Sequence, residues 1–216
     1  KKRIKTKWKG LLTVLMLISS TASFSKTAQH GERGGNGGGV WVCQNKDSNG
    51  TIRKIEFVDF YEAEKEFKYI IDKHIGLDFQ TILNIYKDRI FEIDENFALS
   101  LEPYLSSLNE KLNLVDADLE IIDDALFRVK PPQRWCQDGI ISYEQLANYT
   151  NYGSILLNEY LYKHARFSEL ERAGFLLHEA IYAYLRYKSK DKDSQRARRF
   201  VGIIASTLST EQAREA

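Results

Sequence analysis

The chain has 216 residues, with 31 Lys and Arg against 30 Asp and Glu, 43% hydrophobic and 12% aromatic side chains. That composition excludes a disordered chain and supplies enough apolar surface for one packed domain of ordinary size. Six basic residues and no acid fall within residues 1–25, so the remainder carries about −5 with His neutral, which excludes a general attraction to nucleic acid or anionic lipid.

In chain order, Lys1, Lys2, Arg3, Lys5, Lys7 and Lys9 precede the apolar run Leu11 to Ile18, and small residues follow to Ser25. A charged head, a short apolar middle and a small-residue end form the pattern of a secretory signal peptide. Residues 1–25 are therefore expected to be a leader, with cleavage after Ala22 or Ser25 both fitting. The run falls short of the about 20 residues that a spanning helix needs. The expected protein is extracytoplasmic, periplasmic or secreted, with no stable membrane span after leader cleavage. In that compartment Cys43 and Cys136 read first as a disulfide, with buried thiols or half of a metal site as alternatives.

Residues 26–39 are glycine-rich and form an arm or linker, or else a loop whose backbone approaches a ligand closely. A phosphate-binding loop is disfavoured, because no strand precedes the segment, no GK[ST] ends it and no helix follows. Val40 to Cys43 and Ile52 to Phe60 flank turn residues Asn45 to Gly50, which predicts a β-hairpin. From Tyr61 the spacing turns helical: Phe67, Ile70 and Ile71 make one stripe, and Leu77, Ile82, Ile85, Tyr86 and Ile90 a second after Gly76.

A third helix is expected over residues 96–112, with Leu101, Leu105, Leu108 and Leu112 on one face and Pro103 in its first turns or at its start. Residues 119–130 fit a short helix or a strand with a turn at Asp123 and Asp124, ended by Pro131 and Pro132. Arg134 to Gly139 reads as an ordered loop pinned by its cysteine, Ser142 to Tyr149 as a short helix, and Ile155 to Tyr160 as a strand. Ser168-x-x-Glu171 is a capping box that opens a helix running to about Tyr187. Asp193 and Ser194 precede a last helix with Phe200, Val201, Ile204 and Leu208 facing inward. The fold class expected is α+β: a single helix-rich domain over residues 40–216 with a small N-terminal β-hairpin.

The helix after Ser168 carries Leu177-His178-Glu179-Ala180-Ile181-Tyr182. A strand, a short polar connection and an apolar helix bearing His-Glu resembles the core of the zincin metallopeptidases, whose H-E-x-x-H places two histidines on zinc with the glutamate as general base. The likeness spans residues 153–187. It implies a zincin-like core, a zinc cofactor, His178 as metal ligand, Glu179 as catalytic base and Tyr182 in the second histidine's place. Asp191 and Asp193 lie downstream as oxygen donors. The glycine-rich start with an HEA-bearing late helix also resembles exported bacterial proteins to which no activity is attached.

Read without that resemblance, His178 is a core histidine bonded to Tyr182 or to a backbone carbonyl. Glu179 then pairs with Arg186 or Arg172 on an exposed edge. His30 falls in the arm, His74 between helices, and His164 before the capping box, from where it could swing toward His178. Two functional classes stay open. One is a metal-dependent hydrolase acting on peptide or cell-wall material. The other is a non-catalytic extracytoplasmic binding or structural protein whose partner is an envelope peptide, glycan or protein.

Overall fold

The computed structural model describes residues 33–36, 38–47, 50–122, 129–150 and 153–216. The expected leader, His30 and the turn at Asp123 and Asp124 lie outside the described residues. The fold is α+β and helix-rich, with two small sheets and seven helices among the described residues.

The expected hairpin is present as β2 (Gly39–Asn45) and β3 (Ile52–Phe57), paired antiparallel with Val40 opposite Phe57. Strand β5 (Gly139–Gln145) pairs with the other edge of β2, giving the order β3-β2-β5. The unbroken apolar run of β2 is explained by burial on both faces. Val40 and Val42 point into the main core, while Trp41 joins Val58 and Tyr61 in a second cluster behind the sheet. Ahead of β5, a 3-10 turn (Gln133–Cys136) brings Cys136 to Cys43, and the two form a disulfide with Cα atoms 5.5 Å apart.

The second sheet joins β1 (Arg33–Asn36), β6 (Ala147–Thr150), β7 (Ile155–Asn158) and β4 (Leu112–Val115) in the order β1-β6-β7-β4. Only the β4–β7 pair is parallel. The end of the glycine-rich arm is thus a packed edge strand.

Strand β3 runs without a linker into α1 (Val58–Lys65). The remaining helices are α2 (Phe79–Ile93), α3 (Glu95–Lys111), α4 (Glu159–Lys163), α5 (Glu169–Ser189), α6 (Gln195–Ile204) and α7 (Thr210–Glu215). Helix α5 is the centre of the fold: Ala173, Phe175, Leu177, Ala180, Ile181 and Tyr182 are all fully buried. Its expected capping box is formed, with Ser168 accepting from the Glu171 amide and Glu171 accepting from the Ser168 amide. Two glycines let α1 approach its neighbours. A Cβ on Gly174 of α5 would lie 2.3 Å from the Phe60 ring, and one on Gly202 of α6 would lie 2.8 Å from the Ala63 Cβ. With α1 drawn this close, polar side chains from three helices meet in the interior.

Several local expectations are corrected. Phe67, Ile70 and Ile71 form no helical stripe, because α1 ends at Lys65. Lys68 turns left-handed (φ 61°), the Tyr69 amide returns to the Ala63 carbonyl at 2.9 Å, and Ile71 then bridges to Ser206. Pro103 lies in the interior of α3. Its missing amide would have served the Leu99 carbonyl, and that side of the helix is exposed to water, Leu99 being 62% accessible. Ser142 to Gln145 and Ala147 to Tyr149 are strand, not helix, because pairing with β2 and β7 outweighs local preference. Leu112 begins β4 and does not extend α3, and α7 has no counterpart among the expected elements.

Candidate functional site

Asp59 and Glu62 stand three residues apart on α1 and so share a face. Both are buried, at 1% and 5% exposure. Asp59 meets α5, where its Oδ2 lies 2.7 Å from His178 Nδ1. Glu62 meets α6, where its Oε2 accepts from Arg198 Nε at 2.8 Å. Arg198 also donates to the Ser194 hydroxyl at 3.2 Å.

Glu179 points elsewhere from α5. Its Oε1 accepts the backbone N–H of Gly38 at 2.7 Å, at the end of the glycine-rich arm. The Gly38 carbonyl accepts from the amides of Leu146 and Ala147, each at 3.1 Å, where β5 hands over to β6. Tyr149 of β6 donates its hydroxyl to the Glu179 carbonyl at 2.8 Å. One buried carboxylate therefore joins the arm to the central helix, and Gly38 is clamped from both sides. A Cβ at Gly38 would stand 3.0 Å from the Phe57 ring and 3.2 Å from that of Phe175.

The electrostatics follow from burial. Burial raises the Glu62 carboxyl to about 7 even though Arg198 opposes the shift. Burial also raises Glu179, against the pull of His178, the Gly38 amide and Tyr149. For His178, burial disfavours the imidazolium, but the Asp59 charge, their hydrogen bond and Glu179 together more than offset it, so its pKa rises. Burial drives the Tyr149 hydroxyl well above its ordinary value, which keeps it a donor.

His178, Glu179 and Tyr182 are all wholly buried, but Glu179 is turned to the arm while His178 and Tyr182 lie against each other. The Tyr182 ring packs against His178 at 6.1 Å and Tyr149 at 5.6 Å, with the Arg186 guanidinium over the Tyr149 and Tyr182 rings. His178 is a core histidine, but its partner is Asp59 and neither Tyr182 nor a carbonyl. Glu179 does not pair with Arg186 or Arg172 on an exposed edge; Arg172 pairs with Glu169 instead. His164 does not turn toward His178: its Nδ1 accepts the Arg166 amide at 3.0 Å and its ring lies against Tyr160. Asp191 chelates Arg196, and Asp193 accepts the Gln195 amide, so both are engaged at the start of α6.

As a test of fit to zinc, His178 offers one favourable feature. Its Nε2 is buried without a hydrogen-bond partner while Nδ1 is held by a carboxylate, the second-shell arrangement of a ligating imidazole. The donor set around it is not sufficient. Among the described residues no three His, Cys, Asp or Glu side chains are placed to hold a metal ion. Four clefts on the described surface are lined by other residues and by none of His178, Glu179 and Tyr182.

Sequence reasoning missed Asp59, Glu62, Arg198, Tyr149 and Gly38. One signal was available, two acids at helical spacing inside the otherwise apolar run Val58-Asp59-Phe60-Tyr61-Glu62-Ala63. Comparison with protein families, with curated proteins and with solved structures found no match.

Proposed function

We propose that this chain is a non-catalytic extracytoplasmic protein, binding or structural in role, in which His178 and Glu179 fasten the domain together. The observation that carries this reading is the wholly buried Glu179 carboxylate, whose Oε1 is held by the Gly38 amide and whose Oε2 is enclosed in the interior, where a general base would need to reach a substrate. The disulfide and the absence of a membrane-crossing helix among the described residues agree with an extracytoplasmic setting. The His178–Asp59 pair fits either reading, and losing one member of it leaves the other uncompensated in the interior, at a cost of about 3–5 kcal/mol.

A second reading, the metal-dependent hydrolase with His178 as ligand and Glu179 as base, is favoured by the unpartnered Nε2. One experiment separates the two. Protein purified without chelator is assayed for bound metal alongside His178→Ala. The structural reading expects substoichiometric metal in the wild type and a loss of several kcal/mol in the variant. Stoichiometric zinc that disappears in His178→Ala would overturn it in favour of the hydrolase.

A further inference from the structure

The turn between α2 and α3 meets α5, α6 and α7 around a cleft of about 700 Å³. One wall is aromatic: the Phe97 ring lies 5.3 Å from that of Tyr184 and 5.6 Å from that of Phe200. Ile90, Leu185 and Ile203 are buried beneath it, whereas Phe97 and Tyr184 are only partly covered and Phe200 is 36% exposed. Apolar and aromatic side chains around a concavity of this volume are the ordinary lining of a small-molecule site.

The rim is basic. Arg196, Arg199 and Arg214 line the cleft, and all three are exposed to water, within reach of a ligand. Arg214 is fixed by donating Nε to the Ile93 carbonyl at 2.8 Å and Nη2 to the Glu92 carbonyl, neutral acceptors that leave its charge uncompensated. Arg199 donates Nη2 to the Ala216 carbonyl and keeps its charge likewise. Arg196 is chelated by Asp191. The one acid in the lining is Asp94, whose Oδ1 accepts the Phe97 amide at 3.0 Å.

Lining and charge together define the ligand. Asp94 and the Asp191 that holds Arg196 offset two of the three guanidiniums, so one positive charge stands over an apolar wall. That suits a monoanion with an apolar body, and the planar fork of a guanidinium matches a carboxylate. A more highly charged head would meet the Asp94 carboxylate without a cation to match it. We infer that this cleft binds a single-chain carboxylate of the fatty-acid class, its head at Arg199 and Arg214 and its chain along Phe97, Tyr184 and Phe200. The assignment goes beyond the proposed function and stands whichever role His178 has, because the cleft is lined by none of His178, Glu179, Asp59 and Glu62.

The test is isothermal titration of the intact protein with decanoate, with decanol and acetate as the separate halves and decyltrimethylammonium as the reversed charge. Decanoate should bind once per chain, and each of the other three about tenfold more weakly or worse. Arg199→Gln removes an exposed guanidinium and should weaken decanoate about ten- to a hundredfold, the loss of one charged hydrogen bond, while leaving decanol unaffected. Ser100→Trp places a large ring in the cleft from the exposed side of α3, so it should melt like the wild type and abolish decanoate binding. No saturable heat with decanoate, decanol or decyltrimethylammonium binding as tightly, or wild-type decanoate affinity in either variant would each overturn the assignment. So would a dimer in sedimentation equilibrium that Ser100→Trp dissociates, which would give the cleft to a second copy of the chain.

Discussion

Glu179 and His178 are neighbours in sequence but answer to different parts of the molecule. A turn of about 100° per residue sends His178 to α1 and Glu179 to the arm. The arm contact asks only for an acceptor, which an amide oxygen also supplies. Glu179→Gln should therefore keep the Gly38 bond and cost little stability, whereas Glu179→Leu leaves the amide unsatisfied and should cost about 1–3 kcal/mol in chemical denaturation. Equal losses in the two variants would mean that the charge itself, and not the hydrogen bond, is what matters there. At this scale the sequence singled out the helix and the dipeptide that the structure buries at its centre, because a His-Glu pair on an apolar helix stands out locally. It could not supply Asp59, 119 residues away, or Gly38, 141 residues away, since those partners are set by how α1 and the arm pack. Burial of Glu179 was unreadable for the same reason: an ionisable side chain on an apolar helix can lie at its exposed edge or in the core, and only the covering segment decides.

The elements that were legible are those whose signals are local. The hairpin announced itself by turn residues between two apolar runs, and α5 by its capping box and apolar periodicity. Misreadings came where tertiary pairing competes with local preference, as in β5 and β6, or where a helix stops by backbone closure without a Gly or Pro, as at Lys65. What holds the helices in register is the close approach at Gly174, since it brings Asp59 within reach of His178. A methyl group there would collide with the Phe60 ring in a packed interior, so Gly174→Ala should lose about 1–3 kcal/mol despite alanine's better helix propensity. Thermal melts of that variant with Phe60→Leu, alone and combined, provide the check. The smaller side chain should recover part of the loss in the double variant, and strict additivity would show that Gly174 matters for some other reason.

Over the whole molecule, two long-range devices act on stability. The Cys43–Cys136 bridge closes a separation of 93 residues, which in the chain-entropy model is on the order of 4–5 kcal/mol and ties the first sheet to the loop before β5. The second device is a set of ionisable groups that bind protons more tightly folded than unfolded. Burial raises Glu62 and Glu171 each to about 7, and Glu179 and His178 are raised as well. For a raised pKa the stabilising contribution is complete below the unfolded value and is lost as pH climbs through the folded one. For the two carboxyls at about 7 that window opens near 4.5, and for His178 it opens near 6.5. His164, lowered by burial, pulls the other way only below about 6.5, as a partly exposed group with a smaller effect. The urea midpoint should therefore be higher at pH 5 than at pH 8. Glu171 isolates the effect: glutamine at this third helical position still completes the capping box but cannot titrate. Its shift from 4.5 to about 7 is worth on the order of 3 kcal/mol across the window. Glu171→Gln should flatten the fall in stability between pH 5 and 8 by an amount of that order, from a pH 5 midpoint lowered because the glutamine NH2 cannot accept the Phe57 amide as Glu171 Oε1 does. A wild-type midpoint that stays level or rises over this range would show that the buried carboxyls do not hold their protons.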